Sequence, residues 1–282
     1  NTTLMNSIRM NIASTLTHVA HLEMRRKELF KAQQTLSQVL ELQSFVLGDS
    51  HATTLATQKK IGTLSNQLNS LYNTLEKMID LANLPVQNSE ISSDNFLNLF
   101  FAEKYSACID FLNSTTPTNL AQHYNNLAIC HHMCDDVSNA LRCLNEGLDL
   151  LGTGDDVSSA ELLQRATLLS NLAIVTLHHP DGSANIAPQT LLRQSLEIKK
   201  HLFGGTHPTA VANLATLAQS YQGVDYEECV RWFKELLDVQ LECYGDHSIQ
   251  VATTYGKLSS VYLMGAKLAN TNTTTTTTTT TT

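Results

Sequence analysis

Proline is scarce, with 5 in 282 residues, and tryptophan occurs once. So few helix breakers leave the chain free to be helical nearly throughout. Charge is thin as well: 16% of residues are charged, against roughly 25% in average usage. The balance is acidic, 18 Lys plus Arg against 26 Asp plus Glu for a formal charge of −8. That leaves no broad cationic field for phosphate backbones, and nucleic acid is excluded as an expected partner. No stretch approaches the roughly 18 continuous apolar residues of a membrane span, and no charged-then-apolar leader opens the chain. Membrane insertion is not expected, and the chain reads as soluble and cytoplasmic. Six cysteines are too sparse for a secreted disulfide framework and are expected to be reduced, mostly buried thiols. Strand-like alternation of apolar and polar residues is missing too.

Against these absences stands a recurrent pattern. Gly48-Asp49-Ser50-His51, Gly204-Gly205-Thr206-His207 and Gly245-Asp246-His247-Ser248 each follow one apolar helical run and open another. Glycine suits the left-handed position that ends a helix, and the Asp, Thr or Ser after it is expected to cap the next. Within the helices a second signature recurs, an apolar-small pair preceded by a large residue. Tyr124-Asn125-Asn126-Leu127-Ala128 is its clearest copy, followed by Leu169 to Ala173 and Leu214 to Ala218. Its apolar members are Val19, Ile61, Leu127, Leu172, Leu217 and Leu258, separated by 42, 66, 45, 45 and 41 residues. A period in this range is the mark of a helical repeat array, whose units bury their faces only against one another. The long interval hides a degenerate copy near 92–113.

These positions resemble the tetratricopeptide repeat (TPR) in the long-period form of kinesin light chains and nephrocystin-like proteins. The residues that carry the resemblance are YNNLAICHHM with Ala140, Leu144 and Gly147, then LFGG with HPTAVANLATLAQSY, then DYEECVRWF. It implies an all-α fold, a right-handed superhelical solenoid of antiparallel helix pairs over 1–264. The pairs fall near 5–47, 51–84, 92–113, 118–151, 158–204 and 207–244, followed by a seventh first helix near 248–264. Residues 265–282 form a low-complexity Asn/Thr tail ending in ten threonines, Thr273 to Thr282, expected to be disordered or a placeholder. With the absent initiator methionine, the tail leads to the expectation of a longer polypeptide.

Chemistry-bearing residues are few. Cys130, His131, His132, Cys134, Asp135 and Asp136 hold the right atoms for zinc, but they lie in one packed helix and its turn rather than in two short knuckles, and no metal is expected. His178, His179 and Asp181 gather beside Pro180 and Gly182, where turn chemistry explains them better than acid–base work. No phosphate-cradling glycine loop, GxSxG or HExxH appears, so no catalytic residue and no cofactor is assigned. Arg25-Arg26-Lys27 reads as a solvated turn between the first two helices, or a docking spot for an acidic partner. The asparagines are more informative. Asn126 and Asn171 precede the apolar-small pair of adjacent first helices, on the side turned from the second helices. A carboxamide both donates and accepts, so a ladder of them can hold an extended backbone whatever its side chains. The kinesin-light-chain resemblance implies that such inner-face asparagines hold cargo peptides. Asn125, Thr216, Gln219 and Lys257 fall near the same surface by repeat arithmetic. The expected function is therefore a non-enzymatic scaffold or adaptor that binds a peptide or partner helix in a concave groove. Losing Asn126 and Asn171 should then weaken a ligand and leave stability unchanged. The alternatives are a permanent subunit of a large cytoskeletal, ciliary or transport assembly, or the regulatory arm of an enzyme lying outside these residues.

Overall fold

The structure, a computed structural model, describes residues 2–81, 95–152, 156–179 and 186–276. Helix is the only regular structure among them. Chain order runs α1 (Thr2–Arg25), α2 (Leu29–Leu47), α3 (Ala52–Lys77), α4 (Asn95–Phe101), α5 (Tyr105–Ser114) and α6 (Leu120–Met133). It continues through α7 (Val137–Asp149), α8 (Ser159–His178), α9 (Pro188–Phe203), α10 (Pro208–Ser220), α11 (Tyr226–Tyr244) and α12 (Ile249–Thr276). Each helix from α4 to α12 packs on the next, as do α1 on α2 and α2 on α3. The fold is all-α, with sequential neighbours in contact.

The turns show why the chain breaks where it does. Gly48, Gly204 and Gly245 have φ of 86°, 89° and 74° with ψ of 158°, 160° and 170°. That combination is open essentially to glycine alone, and lies beyond the left-handed helical region expected from the pattern. Two of the three caps differ from expectation, being histidines, while Ser248 caps as expected. His51 Nδ1 accepts from the Thr53 N–H, His207 Nδ1 from the Thr209 N–H, and Ser248 Oγ from the Val251 N–H. The capping residue is thus the third after each glycine, because the chain needs those intervening residues to turn before a side chain can reach back to the new helix. A second kind of turn joins the helix pairs. Lys27, Glu103 and Asp135 take φ near 60° without being glycine, and the N–H of the next residue reaches back five positions in each case, from Glu28 to Glu23, Lys104 to Leu99 and Asp136 to His131. This is the Schellman arrangement, and its recurrence after α1, α4 and α6 marks structural repetition.

Two departures from the repeat arithmetic shape the molecule. Where a helix pair is expected over 51–84, the single helix α3 spans Ala52–Lys77, and α3 packs on α8 while α2 packs on α9. The first three helices therefore sit against the middle of the chain. The apolar cluster of Ala20, Leu29, Ala32, Leu36, Leu64, Leu68 and Leu71 is completed by Leu163, Leu202 and Phe203 from α8 and α9. Val19, expected in the core, is instead exposed, and Ala13 and Ala20 are the buried apolar positions of α1. As an end helix, α1 has one packed flank, so only part of the repeat pattern is covered. The second departure is α12, which runs on to Thr276 through the tail expected to be unstructured. Its first half is anchored by buried Val251, Leu258 and Val261, and adding residues to a nucleated helix is far easier than starting one. Residues 277–282 lie outside the described residues.

The larger apolar cluster runs from Met78 to Val261 and contains Leu127, Ala128, Ala140, Leu144, Leu172, Ala173, Leu217 and Ala218. The three central apolar-small pairs thus do the packing expected of them, whereas Val19, Gly62 and Ser259 of the outer copies are exposed. Cys108, Cys130, Cys143 and Cys229 are buried, Cys134 is exposed, and all six thiols are free. Ala173 on α8 has no solvent exposure, so Ala173→Arg forces a long cation into a filled contact. We expect a loss above about 4 kcal/mol and unfolding of the central helices, seen as a collapsed thermal transition; an unchanged melting curve contradicts the packing.

Candidate functional site

Asn125 and Asn126 lie on α6 and Asn171 on α8, and the apolar-small pairs that follow them bring the two helices into contact. The structure does bring these three side chains together, and all three are buried. What they hold is a piece of the same chain. After α3 ends, Met78, Ile79, Asp80 and Leu81 pass over α6 and α8 outside any α-helix. The Ile79 N–H donates to Asn126 Oδ1 at 3.0 Å, and the Leu81 N–H to Asn171 Oδ1 at 2.8 Å. The Ile79 carbonyl accepts from Asn125 Nδ2 at 2.9 Å and from Asn171 Nδ2 at 2.7 Å. Asn171 Nδ2 also donates to Asn125 Oδ1 at 2.8 Å, and Asn125 Nδ2 to Asn126 Oδ1 at 3.1 Å. The three carboxamides thus form one ladder, reading two N–H groups and one carbonyl of the segment's backbone. All six bonds are neutral and all but the half-buried Leu81 one are buried, so each buried partner left alone would cost more than each bond contributes.

The segment's one charge has its own seat. Asp80 Oδ2 accepts from Lys199 Nζ at 2.7 Å, with Lys199 wholly buried and Asp80 5% exposed. Met78 and Ile79, just before Asp80, belong to the main apolar cluster, and Leu81, just after it, packs against that cluster. Lys199 was not expected here, yet its signal is visible in α9. Leu192, Leu196, Lys199 and Phe203 share one helical face with Ser195 and Leu202, and a lysine in the middle of an apolar stripe demands an anion. Neighbouring polar atoms are ordered too. Ser195 Oγ donates to the Ala166 carbonyl at 2.6 Å and accepts from Asn213 Nδ2 at 2.6 Å.

The remaining residues expected at this surface stand apart from the clamp. Thr216 is half-buried and its hydroxyl donates to the Ala212 carbonyl of its own helix. Gln219 is exposed, and Lys257, on α12, is half-buried. Repeat arithmetic places them one and two units further along, where nothing among the described residues passes over as 78–81 does. A cavity of about 280 Å³ opens beside Asn126 at the other end, lined by Phe96, Leu112, Thr118, Gln122 and His123 among others. Burial holds the His123 pKa below its ordinary value.

The two histidine groups weighed separately in the sequence meet in space. His132, buried near the end of α6, has its Nε2 3.3 Å from Nδ1 of His178 at the end of α8, and its ring lies 5.5 Å from that of His179. Burial, then the neighbouring imidazoles, keeps the His132 pKa low. His131 turns the other way, pairing with Asp136 at 3.0 Å. Cys130 is buried, and burial pushes its thiol pKa far up, so it is no ready thiolate. Among the described residues no group of three or more His, Cys, Asp or Glu side chains is arranged to hold a metal ion. Pro180, Asp181 and Gly182 of the expected turn lie outside the described residues. Lys27, in the basic run, donates to the Val157 carbonyl before α8, which ties the α1–α2 turn to the middle of the chain. No described helix is long and apolar enough to cross a membrane. No family model matches the chain, and no curated protein is significantly similar to it.

Proposed function

We propose that this chain is a non-enzymatic interaction scaffold, a right-handed TPR-like solenoid of the kinesin-light-chain kind whose inner face receives an extended peptide. The observation that carries this reading is the asparagine ladder on the backbone of Ile79 and Leu81. Because carboxamides that read only backbone atoms do not select a sequence, a surface able to hold one extended segment can hold another of suitable side chains. In this chain residues 78–81 occupy the clamp, so a partner binds there by exchange with them, and Thr216, Gln219 and Lys257 extend the surface beyond. No catalytic group, cofactor or resident metal enters the reading, and the net charge of −8 disfavours nucleic acid. A cytoplasmic location, with cytoskeletal or ciliary machinery as its setting, belongs to the same proposal. A synthetic peptide of residues 74–86 is the direct probe. Titrated by calorimetry into a chain with Ile79, Asp80 and Leu81 replaced by Gly-Ser-Gly, it should bind, and the further change Asn171→Ala should abolish the heat. A folded replaced chain that gives no heat removes the peptide-groove reading.

A second reading, a permanent place in a large assembly, draws on the end helices. Leu4, Ile8, Ile12 and Leu22 of α1, and Tyr262, Leu263 and Met264 of α12, are exposed apolar residues of the sort that neighbours cover. Light scattering separates the two: a monodisperse purified chain supports the adaptor, and progressive association supports the assembly.

A further inference from the structure

The joint between α3 and the helices it leans on contains a half-buried imidazole. His207, at the start of α10, stacks on Phe203 with ring centroids 4.4 Å apart and planes 18° apart, and Tyr72 of α3 lies 5.8 Å from both rings. Its Nδ1 accepts from the Thr209 N–H to cap α10 and lies 2.9 Å from Thr209 Oγ1, which puts the proton of the neutral ring on Nε2. The titratable groups facing it are the Lys199 ammonium from α9 and the Tyr72 phenol from α3; among the described residues no carboxylate pairs with it. Lys199 is the same residue that holds Asp80 of the clamped segment. A proton on His207 would therefore turn the capping acceptor into a donor, charge a half-buried ring stacked against aromatics, and place a second cation beside the Lys199–Asp80 pair.

We propose that the docking of α3 and residues 78–81 onto α8–α10 is proton-sensitive, with His207 as the sensor: acid favours the undocked form. The consequence, that acid vacates the asparagine clamp for a partner, rests on the peptide-groove reading above. The direction follows from linkage. Burial, then Lys199, lowers the docked pKa to about 4 from an ordinary 6.5, so the undocked form binds more protons between those values. Docking strength is complete above pH 6.5 and is lost as pH falls toward 4. Between pH 7 and pH 5 the docking equilibrium should shift by about 25-fold.

Amide hydrogen exchange on the full chain, corrected for the intrinsic pH dependence, reads this at the Ile79 and Leu81 N–H groups. Protection there should fall about 25-fold from pH 7 to pH 5, while the amides of Leu172 and Ala173 keep theirs. In His207→Asn, whose side chain still caps α10, the fall should be under about 3-fold. Unchanged protection at both pH values leaves the clamp standing and overturns the sensor, as does an equal fall in the variant or a fall shared by Leu172 and Ala173. Free exchange of Ile79 and Leu81 already at pH 7 overturns the clamp and the sensor together. Should the variant fail to fold, the His207 ring titration in the unaltered chain decides: a midpoint below 5 is expected, and one at 6.5 overturns the proposal.

Discussion

Replacing Asn171 by alanine should destabilise the protein by about 3 kcal/mol, read as a lowered urea midpoint with unchanged slope. The side chain makes three bonds, two of them buried: it accepts from the half-buried Leu81 N–H and donates to the Ile79 carbonyl and to Asn125 Oδ1. Alanine leaves the Leu81 donor and the Asn125 acceptor without these partners, while the Ile79 carbonyl keeps Asn125 Nδ2. Asn171→Asp is the sharper form of the experiment. An aspartate still accepts from Leu81, but its second oxygen faces two acceptors inside the protein, so it should be at least as damaging as alanine. Thr216→Ala and Gln219→Ala, whose side chains bond within a helix or lie exposed, should each stay within about 0.5 kcal/mol of the parent. An Asn171→Ala protein as stable as the parent would mean that the ladder does not form. This revises the expectation drawn from sequence, in which the asparagines could be removed without loss of stability. That expectation assumed a groove open to solvent, and the chain's own segment covers it.

Lys199→Met should cost about 3–5 kcal/mol, because it leaves the Asp80 carboxylate buried without its ammonium. The double change Lys199→Met with Asp80→Leu should recover most of that loss, since replacing both partners removes the charge instead of stranding it. The pair's value to the fold is then positional: it selects the register in which 78–81 crosses α6 and α8. A double variant no better than the single would mean that Asp80 is stabilised by something other than Lys199. The two experiments also test whether the clamp and the ion pair act as one unit. Asn171 and Lys199 grip residues 79, 80 and 81 of a single short segment, so the energies should couple, the combined loss falling short of the sum.

Much of the architecture is legible in the chain's chemistry. Glycines at 48, 204 and 245 sit where only glycine tolerates the backbone, and a turn constraint of that kind acts within a few residues. The pairs Leu127-Ala128, Leu172-Ala173 and Leu217-Ala218 are core for an equally local reason, since a small residue beside a large one is what a close helix contact needs. The three Schellman turns on Lys27, Glu103 and Asp135 were harder to see, because no glycine marks them and the conformation is set by the helices on either side. Among the binding residues, Asn125, Asn126 and Asn171 were visible from their repeat positions, while the occupant was not. A polar ladder in a helix face specifies what geometry it can hold; it does not say which strand of which chain will arrive.

Composition, periodicity and turn residues, all short-range quantities, were enough by themselves to determine that this protein is a succession of packed helices with a row of carboxamides along adjacent first helices. Only the tertiary structure decided that α3 leans on α8, that Asp80 crosses to Lys199 over 119 residues of chain, and that the carboxamides close on Ile79 and Leu81. Those contacts join parts of the chain far apart in sequence, and their formation depends on the summed burial of two apolar clusters rather than on any local preference.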